Sequence, residues 1–133
     1  MFRHRPKIVL NKPLDNGNIE PINGFFFLAN QACLKFGIDR KSPVDSRPVL
    51  SIRKRNDFVI VLPLTTKEGK MPLFYPLTEN EVKWKRSNDH ISYLCRNYET
   101  VSYTNLYEKI GLMAQNTRMD ITKWLNDFYG DAQ

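Results

Sequence analysis

The 133-residue chain has few of the residues that small proteins use as covalent or metal staples. It contains two cysteines and two histidines, and neither cysteine has the close partner that a zinc motif requires. No glycine-rich phosphate loop and no dinucleotide-binding motif occurs. We therefore expect no metal site, no cofactor and no disulfide framework, and the two reduced thiols favour a cytoplasmic protein.

Long apolar runs are also missing. The longest run, residues 25–29, is the length of a strand and falls far short of the ~18 residues that cross a membrane as a helix. No apolar core follows the basic N-terminus, so neither a membrane contact nor a secretory signal is predicted. Apolar residues make up 41% of the chain and charged residues 26%, which is typical of a globular protein.

The charge balance is basic. Twenty Lys and Arg residues against fourteen Asp and Glu residues give a net charge of +6. Such a balance favours an anionic partner such as nucleic acid, although an ordinary solvated basic surface would have the same composition.

The residue pattern predicts strands through most of the chain. Residues 1–22, with three prolines, are expected to form an irregular arm before a single domain at 23–133. Strands are predicted at 24–32, 48–53, 57–64, 72–77 and 91–103, with a loop at 33–46. The second and third form a hairpin with a three- to four-residue turn near 54–56. Pro63 is expected at a strand end or an edge because it donates no ladder hydrogen bond.

The pattern changes to a helical period at the end of the chain. Residues 117–120 have capping-box spacing, and apolar side chains follow at Ile121, Trp124, Leu125 and Phe128. Gly130 is a candidate helix end, and residues 105–112 are expected to form a short helix or turn. Strands followed by one helix predict a mainly β, α+β fold, a small antiparallel barrel or sheet packed by the helix.

Two features of the hairpin point to phosphate chemistry. Arg47 precedes Pro48 and Thr65 ends the next strand, so both are expected at the open end of the hairpin. A guanidinium and a hydroxyl are suited to hold a phosphate, but a surface arginine and a strand-terminal threonine would look the same.

Two other cationic segments have two interpretations each. The cations of residues 53–55 lie at the turn end, where they are either nucleic-acid contacts or solvated turn residues. Trp84 lies among the cations of residues 83–86, and it is either a residue on which a base stacks or a half-buried core residue.

The order of these segments resembles a known family. Arg47-Pro48 opens a β-branched strand, and a second strand ends in Thr65-Thr66-Lys67. Segments at 70–74, 95–101 and 110–113 then follow at similar spacing, before the helix. In these motifs the chain resembles the PemK/MazF toxin endoribonucleases over residues 23–130.

The resemblance implies an SH3-like antiparallel barrel of the CcdB/PemK type with a C-terminal helix. It implies a homodimer that cleaves single-stranded RNA at specific sequences without metal, and a cognate acidic antitoxin that covers the active groove. By motif position Arg47 and Thr65 are the catalytic candidates. The residues expected to contact RNA are Thr66, Lys67, Lys70, Arg96 and Asn97.

The chain departs from the family pattern in one motif that matters for chemistry. Many relatives have Asp-Gln where this chain has Arg96-Asn97, so an acidic general base is missing there. Asp39 and Asp45, in a loop longer than the family's, are alternative bases, RNA contacts or simply solvated charges. An alternative function therefore stays open, in which a non-catalytic barrel of this class binds nucleic acid or inhibits a protein target.

Overall fold

The computed structural model describes residues 24–37, 45–85 and 92–129, and side chains of the terminal helix as far as 127. The predicted arm at 1–22 and residues 38–44 of the predicted loop lie outside these ranges. The strands in the described ranges are β1 (Phe25–Asn30), β2 (Ser46–Arg55), β3 (Phe58–Thr65), β4 (Phe74–Leu77), β5 (Val82–Trp84), β6 (Ser92–Cys95), β7 (Glu99–Ser102) and β8 (Leu106–Met113). The helix α1 spans Gln115–Tyr129, and short 3-10 turns occupy Gln31–Cys33 and Tyr103–Asn105.

The strands form one curled antiparallel sheet in the order β4-β6-β3-β2-β1-β8-β5, with β7 also paired to β3. The curled sheet is an antiparallel half-barrel, and α1 follows it at the end of the chain. The predicted fold class, a small antiparallel barrel with a C-terminal helix, is confirmed. Within the described residues, no helix is both long and apolar enough to cross a membrane.

Hydrophobic clusters cover both faces of the central strands, because successive side chains of a strand point to opposite faces. Phe26 and Leu50 belong to a cluster that includes Ile121 and Leu125 of α1. Phe27 and Val49 belong to a second cluster, which Leu34 joins from the segment after β1. The central strands are therefore buried on both sides, which fixes their register and the positions of the residues at their ends.

The β2–β3 hairpin is confirmed, with two differences in detail. Its ladder runs to the pair Arg55↔Phe58, so Asn56 and Asp57 form the turn and the predicted longer turn is wrong. Asn56 has a φ of 55°, a conformation that asparagine adopts more readily than most residues.

The prediction for Pro63 was also wrong, because it lies within β3 and pairs with Val49. On the other side of β3, pairing with β7 ends at Val61 and pairing with β6 begins at Leu64. Pro63 therefore lies where the strand changes partner, and a missing amide donor is tolerated there.

Two further elements differ from the sequence prediction. Residues 105–112 do not form a helix, because Leu106–Met113 is the strand β8 between β1 and β5. Alternation between exposed Tyr107 and Lys109 and half-buried neighbours marks the strand. The short strand β5 was not predicted. The remaining predicted strands correspond to β1, β4, and the pair β6 and β7.

The terminal helix begins earlier than its predicted capping box. Since α1 starts at Gln115, Thr117 lies within its first turn, where its Oγ1 donates to Glu81 Oε2 at 3.3 Å. Ile121, Trp124 and Leu125 are buried, as the helical period predicts. The side chain of Phe128 and the proposed end at Gly130 lie outside the described residues.

Candidate active site

The open end of the β2–β3 hairpin contains a cavity of about 160 Å³. Its lining comes from the start of β2, the end of β3 and the start of β6, and consists of Ser46, Arg47, Pro48, Leu64, Thr65, Thr66 and Ser92. The hairpin thus brings Arg47 and Thr65 to one cavity, as expected from their positions at the strand ends. A cavity of this size has room for several waters or for a small polar group.

Arg47 is only 6% exposed, and its neighbours hold its side chain in one orientation. Its Nε donates to Gln31 Oε1 at 2.7 Å and its Nη1 donates to the Leu64 carbonyl oxygen at 3.0 Å. The ring of Phe36 lies against the guanidinium, 4.9 Å from Cζ to the ring centroid. Burying a cation is unfavourable unless such contacts offset the lost hydration, so these neighbours fix as well as stabilise it.

The segment 31–37, which we call the strap, contacts the Arg47 side chain through Gln31 and Phe36. Gln31 Nε2 donates to the Phe36 carbonyl oxygen at 2.7 Å, so one amide group links the guanidinium to the strap backbone. Glu99 of β7 accepts hydrogen bonds from the backbone N–H groups of Lys35 at 2.7 Å and Phe36 at 2.9 Å. Both backbone polar groups of Phe36 are therefore satisfied, which keeps its ring against Arg47.

Gly37 ends the strap at a position that requires glycine. Its φ is +78°, and a Cβ there would lie 2.5 Å from Arg47 Nη2. A larger residue would be strained and would displace the guanidinium. The close approach of this backbone completes the enclosure of Arg47.

The threonine side of the cavity is more open. Thr65 is half-buried, and its Oγ1 accepts a hydrogen bond from the Lys67 backbone N–H at 3.1 Å. That interaction uses an acceptor lone pair of the hydroxyl and leaves its proton to be donated elsewhere. Thr66 is exposed and also lines the cavity.

The other predicted RNA contacts are not among the residues that line this cavity. Lys67 and Lys70 are exposed on the segment after β3, and Asn97 is exposed after β6. Arg96 is half-buried, and its backbone N–H donates to the Leu73 carbonyl oxygen at 2.9 Å. The RNA contacts of these four residues therefore stay a prediction.

Two carboxylate residues near the site differ in their contacts. Glu99 accepts the two strap N–H groups just described. Asp45 is exposed, and its backbone carbonyl accepts from the Gln31 N–H at 3.0 Å. Asp39 lies outside the described residues. Within the described ranges, no group of three or more His, Cys, Asp and Glu side chains is placed to hold a metal ion.

Burial raises the pKa of both cysteine thiols at this end of the molecule, and the Glu99 carboxylate raises each further. The Cys33 thiol belongs to the strap and donates to the Asn30 carbonyl oxygen at 2.9 Å. Cys95 is buried at the end of β6. Both are therefore protonated at neutral pH and are unsuited to act as nucleophiles.

Sequence analysis did not identify Gln31, Phe36, Glu99, Ser46 or Ser92 as site residues. Ser46 adjoins Arg47 but is an ordinary strand residue. The other four residues are remote from Arg47 in the sequence. They come together only because β1 and β3 pair with β2, while β6 and β7 pair with β3. The weak signal for the strap was Gly37, twelve residues after the aromatic strand begins, but glycine alone specifies no contact.

No protein-family model and no curated protein matches the chain, but solved structures do. One is the Mycobacterium tuberculosis toxin MazF-mt6, with a TM-score of 0.57 and 16% identity over 77% of this chain and 93% of that one. This chain has the fold of MazF toxins. A second MazF-like neighbour, an endoribonuclease in complex with its cognate antitoxin from a mycobacterial species, has a TM-score of 0.54 and 16% identity. That match covers 78% of this chain and 87% of the other.

The likeness to MazF confirms, at the level of the fold, the resemblance seen in the sequence motifs. It extends over most of the described residues even though sequence identity is only 16%. Since the fold alone does not determine function, the activity has to be argued from the site itself.

Proposed function

We propose that this protein is a toxin endoribonuclease that cleaves single-stranded RNA at the open end of the β2–β3 hairpin. The observation that carries the proposal is the buried guanidinium of Arg47, held by Gln31 and the Leu64 carbonyl beside the Thr65 hydroxyl. A structural role alone would not require a fixed cation to line an open cavity. The MazF-like fold supports the same function, because the second structural neighbour is an endoribonuclease.

The proposed reaction needs neither a metal nor a cofactor. The ribose 2′-oxygen attacks the adjacent phosphorus, the bond from phosphorus to the 5′-oxygen breaks, and the products carry a cyclic phosphate and a 5′-hydroxyl. The 2′-hydroxyl loses its proton and the leaving oxygen gains one. Negative charge builds on the phosphate oxygens in the transition state, where a positioned cation has its largest effect.

Arg47 and Thr65 have complementary roles in this proposal. The guanidinium is always protonated, so Arg47 stabilises the charge on the phosphate oxygens over the working pH range. The Thr65 hydroxyl donates to a phosphate oxygen while Lys67 N–H stays bonded to its lone pair. Thr66, Lys67, Lys70, Arg96 and Asn97 are proposed to bind the RNA around the cavity and to contribute to the choice of sequence.

The proposed partners follow from the fold and from charge. One structural neighbour is described in complex with its cognate antitoxin, which supports an antitoxin for this chain as well. With a net charge of +6, the protein suits an acidic antitoxin segment that competes with RNA. We further propose that the protein is cytoplasmic and that it forms a homodimer. Light scattering at micromolar concentration tests the dimer.

The test is incubation of the purified protein with several long single-stranded RNAs in EDTA, beside Arg47→Ala and Thr65→Ala. We expect discrete fragments from the natural sequence, recurrent cleavage sequences, and cyclic-phosphate ends. Both variants should lose the fragments while retaining the circular dichroism spectrum of the fold. Intact RNA throughout, with RNA still bound, would favour the alternative of a non-catalytic nucleic-acid-binding barrel.

A further inference from the structure

A second concave surface lies on the β1–β8–β5 side of the sheet. It has a volume of about 680 Å³ and shares no lining residue with the cavity at Arg47. We call it the basic aromatic groove, defined by Phe25, Lys83, Trp84, Lys85, Tyr107 and Lys109. The proposed cleavage reaction gives it no role.

The cations of the groove outnumber its acids. Lys83, Lys85 and Lys109 are exposed, and Glu108 is the acidic residue in the lining. Lys85 Nζ lies 2.9 Å from Glu108 Oε2, which offsets one of the three positive charges. The lining therefore carries a net positive charge and complements a polyanion.

The aromatic residues of the groove differ in their packing. Trp84 contacts Phe26 of the core, with ring centroids 4.9 Å apart, so it forms a supporting wall. Tyr107, in contrast, is 59% exposed near the start of the long strand β8. An exposed aromatic ring in one lining with lysines offers a face on which an unpaired base can stack.

The groove lies two strands across the sheet from Arg47 and extends away from it. Phe25 lies four residues before Ala29, the β1 residue that pairs with Arg47. At the usual strand rise this is roughly 13 Å along the strand. Tyr107 is at the other end of the groove, because its neighbour Leu106 pairs with Ala29. A chain bound along the groove would therefore begin near the level of Arg47 and lead away from it towards Phe25.

We propose that the basic aromatic groove binds single-stranded nucleic acid, with a base stacked on Tyr107 and phosphates beside Lys83 and Lys109. Stacking accepts any base, since every base has a π-face, and the lysines contact the backbone without reading sequence. The groove would add affinity for long strands without selecting the cleavage sequence. This binding does not depend on the cleavage reaction and is measured separately from it.

The test uses fluorescence anisotropy with two labelled 20-nucleotide probes of one sequence, a 2′-O-methyl RNA and a DNA. Neither probe has a 2′-hydroxyl, so neither can be cleaved by the proposed reaction. Tyr107→Ala should weaken binding of both probes roughly tenfold, whereas Tyr107→Phe should keep it within about twofold. Lys83→Gln and Lys109→Gln should each reduce the slope of log affinity against log salt by about 0.7.

Tyr103 provides a matched control. It is 43% exposed and has Lys54 Nζ 4.8 Å from its ring centroid, but it lies at the turn end of the hairpin. We expect Tyr103→Ala to leave binding of both probes unchanged. An equal loss from Tyr103→Ala and Tyr107→Ala would overturn the proposal, because the effect would then belong to the basic surface in general.

Two other results would overturn the proposal. One is unchanged probe affinity in Tyr107→Ala. The other is self-association without nucleic acid that Tyr107→Ala abolishes, because the groove would then be an interface between copies of the chain. Failure of RNA cleavage by the natural sequence would refute the proposed function but not the groove, provided that Tyr107→Ala still weakens binding of both probes.

Discussion

The two ends of the β2–β3 hairpin both carry cations, but they hold them differently. At the open end, Arg47 is 6% exposed and is fixed by Gln31, the Leu64 carbonyl and the Phe36 ring. At the turn end, the cations of residues 53–55 are all partly exposed, and Lys54 lies over the exposed ring of Tyr103. Cationic side chains are therefore enclosed at one end and partly exposed at the other.

This difference separates two uses of positive charge. A fixed cation in a sheltered cavity can stabilise a transition state because little reorganisation is needed during the reaction. Partly exposed cations raise the long-range attraction for a polyanion, and salt screens that attraction. This difference supports the proposal that cleavage occurs at the open end, and we expect at most a weak salt-sensitive attraction at the turn end.

The largest expected effect comes from the substrate. Replacing the ribose at the cleaved position by 2′-deoxyribose should abolish cleavage, since the attacking oxygen is then missing. The same replacement one nucleotide away should leave the rate within a fewfold. Cleavage of both substrates at equal rates, measured on a denaturing gel, would exclude attack by the 2′-oxygen.

Thr65→Val should reduce cleavage on the order of 10²-fold, because it keeps the shape but removes one preorganised donor. Thr104→Val is the matched change at the turn end, where Thr104 is exposed and its hydroxyl bonds to Ser102. We expect this variant to cleave at the normal rate. Equal single-turnover rates for both variants would remove Thr65 from the mechanism.

Gln31→Leu should lower kcat about tenfold with little change in KM, because Arg47 loses a positioning partner but keeps the Leu64 carbonyl. Gln115→Leu, an exposed glutamine at the start of α1, is the control and should change neither constant. An increase in KM alone would mean that Gln31 contributes to RNA binding and not to the orientation of Arg47.

The smallest effect is a pH dependence at the open end. Burial raises the pKa of Cys33 and of Cys95 above the value in the unfolded chain. The two thiols therefore stabilise the fold fully below their unfolded pKa, and this contribution is lost as pH rises through the folded pKa. Urea unfolding between pH 7 and pH 10 should show a steeper alkaline loss for the natural sequence than for the double variant Cys33→Ser, Cys95→Ser.

The sequence was most informative where local pattern determines the outcome. Runs rich in β-branched residues identified β2 and β3, and the helical spacing of Ile121, Trp124 and Leu125 identified α1. Their positions at strand ends also placed Arg47 and Thr65 together. The prediction for β8 was wrong because apolar and polar residues alternate only weakly along this segment. The strand also pairs with β1, more than 70 residues earlier in the chain.

The supporting residues of the site could not be predicted, since each acts through tertiary contacts. Glu99 reaches the strap from β7, 63 residues along the chain from Phe36. Nothing in the sequence near Glu99 indicates that its carboxylate accepts two backbone N–H groups of another segment. The orientation of Arg47 is thus a property of the folded sheet and not of a motif.

The most direct test compares Arg47→Lys with Arg55→Lys, which make the same substitution at the two ends of the hairpin. Lysine keeps the charge but has no planar fork to span Gln31 and the Leu64 carbonyl while presenting a donor to phosphate. We expect single-turnover cleavage of one RNA in EDTA to fall by about 10²–10³-fold in Arg47→Lys and less than about twofold in Arg55→Lys. Equal rates in the two folded variants would contradict the assignment of cleavage to the open end.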